Sequence, residues 1–185
     1  MRPQKVNDES LMAGLLEVLR SKGYDGASLS ELSMATGLKK ASLYHRFPGG
    51  KKQIAESVML EVRAWIKQEV LDVLKNKKMK PKERLETALG RIEEFYAWGE
   101  KSCILRALSM DSGMEQVGDL VQASMESWQK GFLKLGQDMG LSKKKAEKRA
   151  LESLILIQGS LVVAKGSRSP QAFKYAIEKI KSIYQ

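Results

Sequence analysis

The sequence predicts an all-α fold with a three-helix N-terminal domain and a larger C-terminal helical domain. Along most of the 185 residues, apolar side chains recur at intervals of three and four, the spacing of one face of an α-helix. No run with a period of two is long enough to predict a sheet. The four prolines, at positions 3, 48, 81 and 170, lie beside polar or glycine-bearing breaks and therefore separate helices.

The first two helices are predicted from their end signals. The first spans about Asp8 to Lys22, with Gly23 placed to end it in a left-handed conformation. The second begins at Ser28, whose hydroxyl and the Glu31 carboxylate have the spacing of a capping box, and ends at Thr36-Gly37. Ser28 therefore marks the start of the second helix, close behind the end of the first.

A short third helix is predicted over about Lys39 to Phe47, and Pro48-Gly49-Gly50 ends it. We divide the chain into an N-terminal domain, residues 1–52, and a C-terminal domain, residues 53–185, with an exposed lysine-rich connector at 75–82. The C-terminal helices are predicted at about residues 51–76, 81–98, 103–110, 114–139, 142–165 and 170–184.

Charge and composition narrow the function. Lys and Arg total 32 against 22 Asp and Glu, a net charge of +10 that favours polyanionic partners such as nucleic acid or an anionic membrane surface. No apolar run approaches the roughly 20 residues that span a bilayer, and the first ten residues are too polar for a signal peptide. We therefore expect a cytoplasmic protein without a membrane partner.

The lone cysteine and the lone histidine argue against most enzymes. Cys103 has no second cysteine for an intrachain disulfide or a multi-cysteine metal site, and His45 is the only imidazole available to a zinc site or a catalytic triad. We expect no catalytic residues, no bound metal and no cofactor.

The second and third predicted helices, joined through Gly37, have the dimensions of a helix-turn-helix. Leu43 and Phe47 lie four apart and are expected to pack inward. Between Lys39 and Lys52 there are five positive residues and no acidic one, so this surface should attract phosphates. The outward residues offered to DNA are Lys40, Ala41, Ser42, Tyr44, His45 and Arg46.

The segment 11–55 resembles the head of TetR-family transcriptional regulators. The resemblance rests on Gly23-Tyr24, the cap around Ser28, Thr36-Gly37-Leu38 and the sequence Leu43-Tyr44-His45-Arg46-Phe47. The continuation Phe47-Pro48-Gly49-Gly50-Lys51 is similar to a subgroup with one extra glycine before the lysine that opens the fourth helix. The resemblance implies phosphate contacts from Tyr44 and Lys51 and groove-facing positions at Lys40, Ala41, Ser42, His45 and Arg46; Ser28 and Lys39 complete the expected DNA-binding set.

One departure from the family pattern concerns the start of the recognition helix. Many relatives place Ser or Pro there, whereas this chain has Leu38-Lys39-Lys40. The cap is therefore poor, and we expect the first turn to be mobile until DNA binds. For His45, contact with DNA is favoured over a merely solvated surface imidazole because of its place on this helix.

The C-terminal domain is predicted to dimerise and to bind an effector. The helix at 142–165 is apolar on most sides from Ala150 onward and must be covered on more than one face. By the resemblance, the last two helices pair with their copies, and two recognition helices about 34 to 36 Å apart read a palindrome. The expected dimer residues are Leu154, Ile157, Leu161, Phe173, Ile177 and Ile180.

Aromatic and methionine side chains in the middle helices are candidates for lining an effector cavity, although such stripes are more often core. The expected ligand-binding set is Phe95, Trp98, Cys103, Met110, Met125 and Trp128. Cys103 lies at a predicted helix start and resembles a cysteine of electrophile-sensing relatives, while a buried inert thiol is the commoner case. The effector's identity stays open.

The function expected from these features is a ligand-responsive repressor that binds operator DNA as a homodimer and is released by a small molecule. Two alternatives remain: a helical sensor or interaction protein whose head docks another protein, and a small helical enzyme. The acid-free stretch from 39 to 52 argues against the first alternative, and the single histidine and single cysteine argue against the second.

Overall fold

In the computed structural model, which describes residues 7–185, all regular secondary structure is helical and no strand is present among these residues. The all-α prediction is confirmed. The helices are α1 Asp8–Gly26, α2 Leu29–Thr36, α3 Lys40–Arg46, α4 Gly50–Ile66, α5 Asp72–Lys75, α6 Pro81–Phe95, α7 Ile104–Leu108, α8 Ser112–Asp138, α9 Lys143–Ser167 and α10 Gln171–Ile183.

The predicted break at Gly23 is present. Its φ of 73° and ψ of −175° lie outside the helical region, and a further short helical stretch reaches Gly26. Glycine at position 23 thus provides a conformation that other residues adopt only with strain.

The fourth predicted helix is present as one continuous helical segment, since a π-helical turn at Lys67–Leu71 joins α4 to α5.

The fifth predicted helix is shorter than expected, because α6 ends at Phe95 and does not reach Trp98. A 3₁₀ turn follows in which Ala97, Trp98 and Gly99 all have positive φ, at 46°, 53° and 100°. A Cβ at Gly99 would lie 2.7 Å from the Cβ of Phe173. The turn therefore needs glycine both for its conformation and for its close approach to α10.

The chain forms two compact units. The first contains the described residues up to Val62 together with Ile104–Val121, so α7 and the first turns of α8 belong with α1 to α3. α1 packs on both α2 and α7, and the carboxylate of Asp25 accepts hydrogen bonds from the backbone N–H of Ser112, at 3.2 Å, and from its hydroxyl. These Ser112 hydrogen bonds hold the pKa of Asp25 below its usual range. The buried leucines of this unit include Leu11, Leu15, Leu19, Leu32 and Leu43.

The second unit consists of Arg63–Cys103 and Gln122–Gln185. Its core is rich in aromatic rings: Tyr96 meets Phe173 edge-on, and Trp128 stacks on Phe132 with a ring separation of 6.3 Å. The Tyr184 hydroxyl donates to the backbone carbonyl of Phe132 at 3.2 Å, and burial raises the pKa of Tyr184 to about 12.

A buried ion pair joins two elements of the same unit. Arg84 donates from one guanidinium nitrogen to the carboxylate of Asp138 at 2.8 Å and to the carbonyl of Leu74 at 3.0 Å. Lys134 also pairs with Asp138. The hydrogen bond from Lys134, and to a lesser extent that from Arg84, holds the pKa of Asp138 below its ordinary value, so this carboxylate is charged at neutral pH.

The residues expected at the dimer interface are buried within their own chain. All six are buried inside the second unit: Leu154, Ile157, Leu161, Phe173, Ile177 and Ile180. Their side chains fill the core of their own chain and are not available to a second copy. The apolar residues that α9 leaves exposed are Leu151, Ile155, Val162 and Val163. We call these four residues the outer stripe of α9 and its buried residues the inner stripe. Which residues two copies of the chain share stays a prediction.

The outer stripe also explains the hydropathy of α9. By length and composition alone, Lys143–Ser167 is apolar enough to cross a membrane, and 33% of the relevant window is buried inside the protein. The buried third belongs to the inner stripe, and exposed apolar residues such as Ile155 contribute the rest of the hydropathy.

We predict that Gly14→Ala destabilises the protein. A Cβ at Gly14 would lie 2.7 Å from the backbone carbonyl oxygen of Ala35, so α1 and α2 would have to separate. Overpacking of this kind costs about 1 to 3 kcal/mol of unfolding free energy, to be measured by urea denaturation. The control is Gly90→Ala in α6, where a Cβ meets nothing within 4 Å and stability should rise by about 0.5 to 1 kcal/mol. Equal stability of Gly14→Ala and the unmodified chain would contradict this account of the crossing.

Candidate nucleic-acid interface

The turn between α2 and α3 has the geometry expected of a helix-turn-helix. Ser28 caps α2, since its hydroxyl accepts from the N–H of Glu31 at 3.2 Å while the Glu31 carboxylate accepts from the N–H of Ser28 at 2.9 Å. Gly37 ends the helix in the left-handed region, with φ 68° and ψ 5°. The capping box and the glycine turn predicted from the sequence are confirmed.

A salt bridge links α2 to α1. The Glu31 carboxylate also accepts from the ammonium of Lys22, and this bond, followed by those from Ser28, lowers the pKa of Glu31 to about 2. The carboxylate therefore stays ionised at neutral pH. Its charge links the N-terminus of α2 to the end of α1. This contact helps to hold α2, the first helix of the helix-turn-helix, in place.

α3 divides cleanly into a buried and an exposed side. Leu43 and Phe47 are 1% and 7% exposed, as the sequence predicts for the inward pair. Lys39, the N-cap residue, makes no side-chain capping bond, in agreement with the poor cap expected there. The exposed residues are Lys39, Lys40, Ala41, Ser42, Tyr44, His45 and Arg46.

A shallow groove runs along the exposed side of α3. It is lined by Leu38, Ala41, Ser42, His45 and Arg46. The Ser42 hydroxyl, the His45 imidazole and the Arg46 guanidinium therefore share one surface, while Ala41 leaves it open to a close approach. These groups can donate to and accept from base edges and phosphates.

The start of α4 lies beside α3 and contributes a second cluster. Gly50 has a φ of 64°, and a Cβ there would lie 3.8 Å from the ring of Tyr44. The ammonium of Lys51 lies 4.5 Å from the centre of the Tyr24 ring, a cation–π contact. Tyr44 and Lys51 are thus placed at the same turn, where the sequence resemblance expects two phosphate contacts.

Two residues of this surface were not foreseen. The Gln53 side chain accepts from the N–H of Gly49 at 2.7 Å and so secures the turn before α4. Asp8, at the start of α1, forms an ion pair with Arg46. A glutamine four residues after a Gly-Gly turn is a local signal for the first contact, but the Asp8 pair joins residues 38 positions apart and has no local signal.

The residues expected to line an effector cavity are divided between the two units. Met110 lies in the first unit, whereas Phe95, Trp98, Cys103, Met125 and Trp128 lie in the second. Trp98 and Met110 are each 56% exposed, which does not fit the wall of an enclosed cavity. Phe95 is half-buried and stacks on Trp65 at 4.4 Å, whereas Trp128 is fully buried in the interior of the second unit.

Cys103 is buried, and its sulfur accepts a hydrogen bond from the Tyr96 hydroxyl at 3.2 Å. It immediately precedes α7, as the sequence predicts. Within the described residues, no group of three or more His, Cys, Asp or Glu side chains is placed to hold a metal ion.

Comparison with known proteins agrees with this geometry. Residues 11–58 match the family described as bacterial regulatory proteins, tetR family. The HTH-type transcriptional regulator LmrA of Bacillus subtilis (strain 168) is 32% identical over 66 residues, covering 36% of this chain and 35% of LmrA. The matched segment thus spans about a third of the length of that relative.

Solved structures match over nearly the whole chain. A TetR transcriptional regulator from Legionella pneumophila superposes with a TM-score of 0.81 at 17% identity, covering 97% of this chain and 98% of that one. The regulatory protein TetR from Rhodobacter sphaeroides gives 0.81 at 21% identity, with coverages of 97% and 99%. A cysteine mutant of the TetR family regulator CifR, crystallised with 26-bp double-strand operator DNA, gives 0.78 at 20%, with 98% of each chain covered.

The fold is that of the solved TetR regulators, and residues 11–58 match the family of bacterial regulatory proteins in the segment that contains α2 and α3.

We predict that Asp8→Asn strengthens DNA binding. Neutralising Asp8 releases Arg46 and removes a negative charge beside α3, and an exposed pair of this kind holds the arginine only weakly, so affinity should rise by at most about fivefold. The measurement is a duplex titration at low salt, with Asp72→Asn in α5 as the charge-matched control. Weaker binding by Asp8→Asn would show that the ion pair positions Arg46 for DNA and does not compete with it.

Proposed function

We propose that the chain is a ligand-responsive transcriptional repressor that binds a palindromic operator as a homodimer and is released by a small-molecule effector. The observation that supports this most directly is the division of α3. Burial of Leu43 and Phe47 turns a cationic, acid-free side of the helix to solvent. In this proposal the protein acts in the cytoplasm and needs no cofactor.

The proposed role of each residue in DNA binding follows from its position on α2, α3 or the start of α4. Tyr44 and Lys51, together at the α3–α4 turn, contact phosphates, as do Ser28 and Lys39 at the two helix starts. The residues on the groove side face the bases: Lys40, Ala41, Ser42, His45 and Arg46. In this proposal the chain belongs to the subgroup that its Phe47 to Lys51 sequence, with the double glycine, resembles.

The proposed dimer uses the outer stripe of α9. Ile155 is 60% exposed and Val163 56%, both on a helix whose opposite side is buried. Exposed apolar stripes of this length mark interaction surfaces. A twofold axis through this stripe presents two heads, and a palindromic operator matches that symmetry.

The proposed effector response rests on how the chain is divided. Ile104–Val121 follows Cys103 in sequence yet belongs to the unit of α1 to α3, where Asp25 and Ser112 are hydrogen-bonded. In this proposal, a ligand-induced shift of the backbone at Cys103 or Gln122, the residues that flank this segment, is passed along the chain to the unit that contains α1 to α3. Repression is relieved if effector binding lowers operator affinity.

We predict specific, salt-dependent DNA binding that Tyr44→Ala and Lys51→Ala weaken across all sequences. Each substitution should cost about 1 kcal/mol or more, and Lys51→Ala should reduce the salt slope by about one. Selection from genomic DNA supplies the duplex, and titration at several salt concentrations supplies the slope. Lys174→Ala on α10 removes the same charge in the second unit and should change little. Failure to prefer any duplex would remove the proposed function.

We predict that Ile155→Asp breaks the dimer. Burying an unpaired carboxylate costs several kcal/mol, and the twofold axis counts it twice, so the dimer dissociation constant should rise at least about a hundredfold. Light scattering behind size exclusion measures the mass, and Gln137→Asp, at an exposed position of α8, is the control. A dimer that survives Ile155→Asp would place the interface elsewhere.

A further inference from the structure

An open cationic cleft of about 450 Å³ lies in the second unit, between the connector that follows α5, the start of α6 and the end of α8. We call it the connector cleft. Four of its seven lining residues are cationic and one is acidic; the seven are Lys77, Lys78, Met79, Lys80, Pro81, Arg84 and Asp138. The three lysines are exposed, so their ammonium groups can reach a ligand from solvent.

Arg84 is the buried cation of the connector cleft, with only 3% of its surface exposed. Its Nη1 donates to the carbonyl of Leu74 at 3.0 Å and to the carboxylate of Asp138 at 2.8 Å. Its Nε has no hydrogen-bond partner among the described residues. An unpaired buried donor is rare because it loses its bonds to water and regains nothing. One donor of Arg84 thus calls for a partner that the chain does not supply.

The edge of Arg84 that keeps this donor is suited to an oxyanion. In a guanidinium, the Nε–H and a neighbouring N–H are parallel and pair with two oxygens of a phosphate or a carboxylate. Both bonds to Leu74 and Asp138 leave from Nη1, so they hold the guanidinium without using its Nε. The position of one anionic group is therefore fixed before a ligand binds.

The start of α6 adds backbone donors to the same surface. Lys80 is the N-cap residue and makes no side-chain capping bond, since an ammonium can only donate. The Glu83 carboxylate accepts from the N–H of Lys80 at 3.1 Å and does not line the cleft. The N–H groups of Lys82 and Glu83 therefore receive no acceptor from the N-cap side chain. The positive end of this 15-residue helix favours an anion.

The balance of charge selects a ligand with several negative charges. Asp138, the acidic residue of the lining, is already paired with Arg84 and Lys134. The three exposed lysines therefore face no unpaired carboxylate in the cleft lining. A chain of phosphate groups can contact several of these cations at once, whereas a single carboxylate contacts one or two.

We propose that the connector cleft binds a small anion that carries two or more phosphate groups. One phosphate pairs with the Nε edge of Arg84, and the next ones bind the ammonium groups of the three lysines. Met79 and Pro81 are half-buried and offer apolar contact beside the phosphates. The inference goes beyond the proposed function, because the cleft contains none of the residues expected to bind DNA or the effector. Its failure would leave that function untouched.

The first test measures tripolyphosphate binding to the full chain by calorimetric titration at low salt. Tripolyphosphate should bind at least about tenfold more tightly than orthophosphate, because it meets more of the cations. The double substitution Lys77→Ala and Lys80→Ala should weaken it at least about tenfold. The matched control is Lys143→Ala with Lys144→Ala, which removes the same charge at the start of α9, where Ser142 caps the helix. Equal weakening by both pairs would show nonspecific attraction and overturn the site.

A second test separates the Nε of Arg84 from its charge. Arg84→Lys keeps the charge but removes the fork, and should weaken tripolyphosphate binding at least about tenfold while the chain still melts cooperatively. Because Arg84 also holds α6 to α8, the unmodified chain gives an independent reading. The Nε–H resonance of Arg84 should shift when tripolyphosphate is added. A resonance unmoved at saturation would mean that the ligand does not reach Arg84, which overturns the proposal.

ATP distinguishes the two sources of such a ligand. Tighter binding of ATP than of tripolyphosphate would identify a nucleotide whose base uses the apolar contact, and equal binding would identify recognition of the phosphates alone; both results support the site. Absence of binding by either probe at about millimolar concentration would overturn it. So would a duplex of unrelated sequence that displaces tripolyphosphate through Lys77 and Lys80, since these lysines would then belong to DNA.

Discussion

The proposed DNA-facing surface depends on the burial of two side chains, Leu43 and Phe47. α3 has only seven residues, far too few to be a stable helix in water, so its helicity must come from packing. Lys39 supplies no side-chain cap, which leaves the buried pair and the Gly37 turn to hold the helix in place. Each outward group on α3 is therefore oriented by residues that do not touch DNA themselves.

Fewer positive side chains around α3 are free of intramolecular partners than the count of charged residues in the sequence suggests. Five positive residues lie between 39 and 52, yet Arg46 is paired with Asp8 and Lys51 is held over the Tyr24 ring. The exposed Asp8–Arg46 pair holds the arginine only weakly, but its carboxylate offsets part of the positive charge of this surface. In the proposed complex with DNA, these contacts weaken nonspecific attraction, so that discrimination between sequences relies on the groove-side groups of α3.

Sequence signals over a few residues predicted the helix ends and the buried positions of α2 and α3 well, but they predicted the packing of the C-terminal helices less well. The capping box at Ser28, the turn at Gly37 and the inward pair on α3 follow from spacing along one short segment, and the structure has all three. For α9 the sequence is apolar on most sides, so periodicity cannot tell which stripe packs against its own chain. Ile157 and Ile155 look alike in sequence, and only the tertiary fold buries one and exposes the other.

The position of Gln158 connects the two roles of α9. It lies three or four residues from Leu154 and Leu161 on the buried stripe, and equally from Ile155 and Val162 on the exposed stripe. A residue at this seam has one neighbour in the core and another on the proposed dimer surface. Its side-chain amide is buried without a hydrogen-bond partner among the described residues, which reduces stability, and such a cost is typically tolerated where function requires it. A change in the packing of α9 at this seam would therefore reach both its buried stripe and the proposed dimer surface.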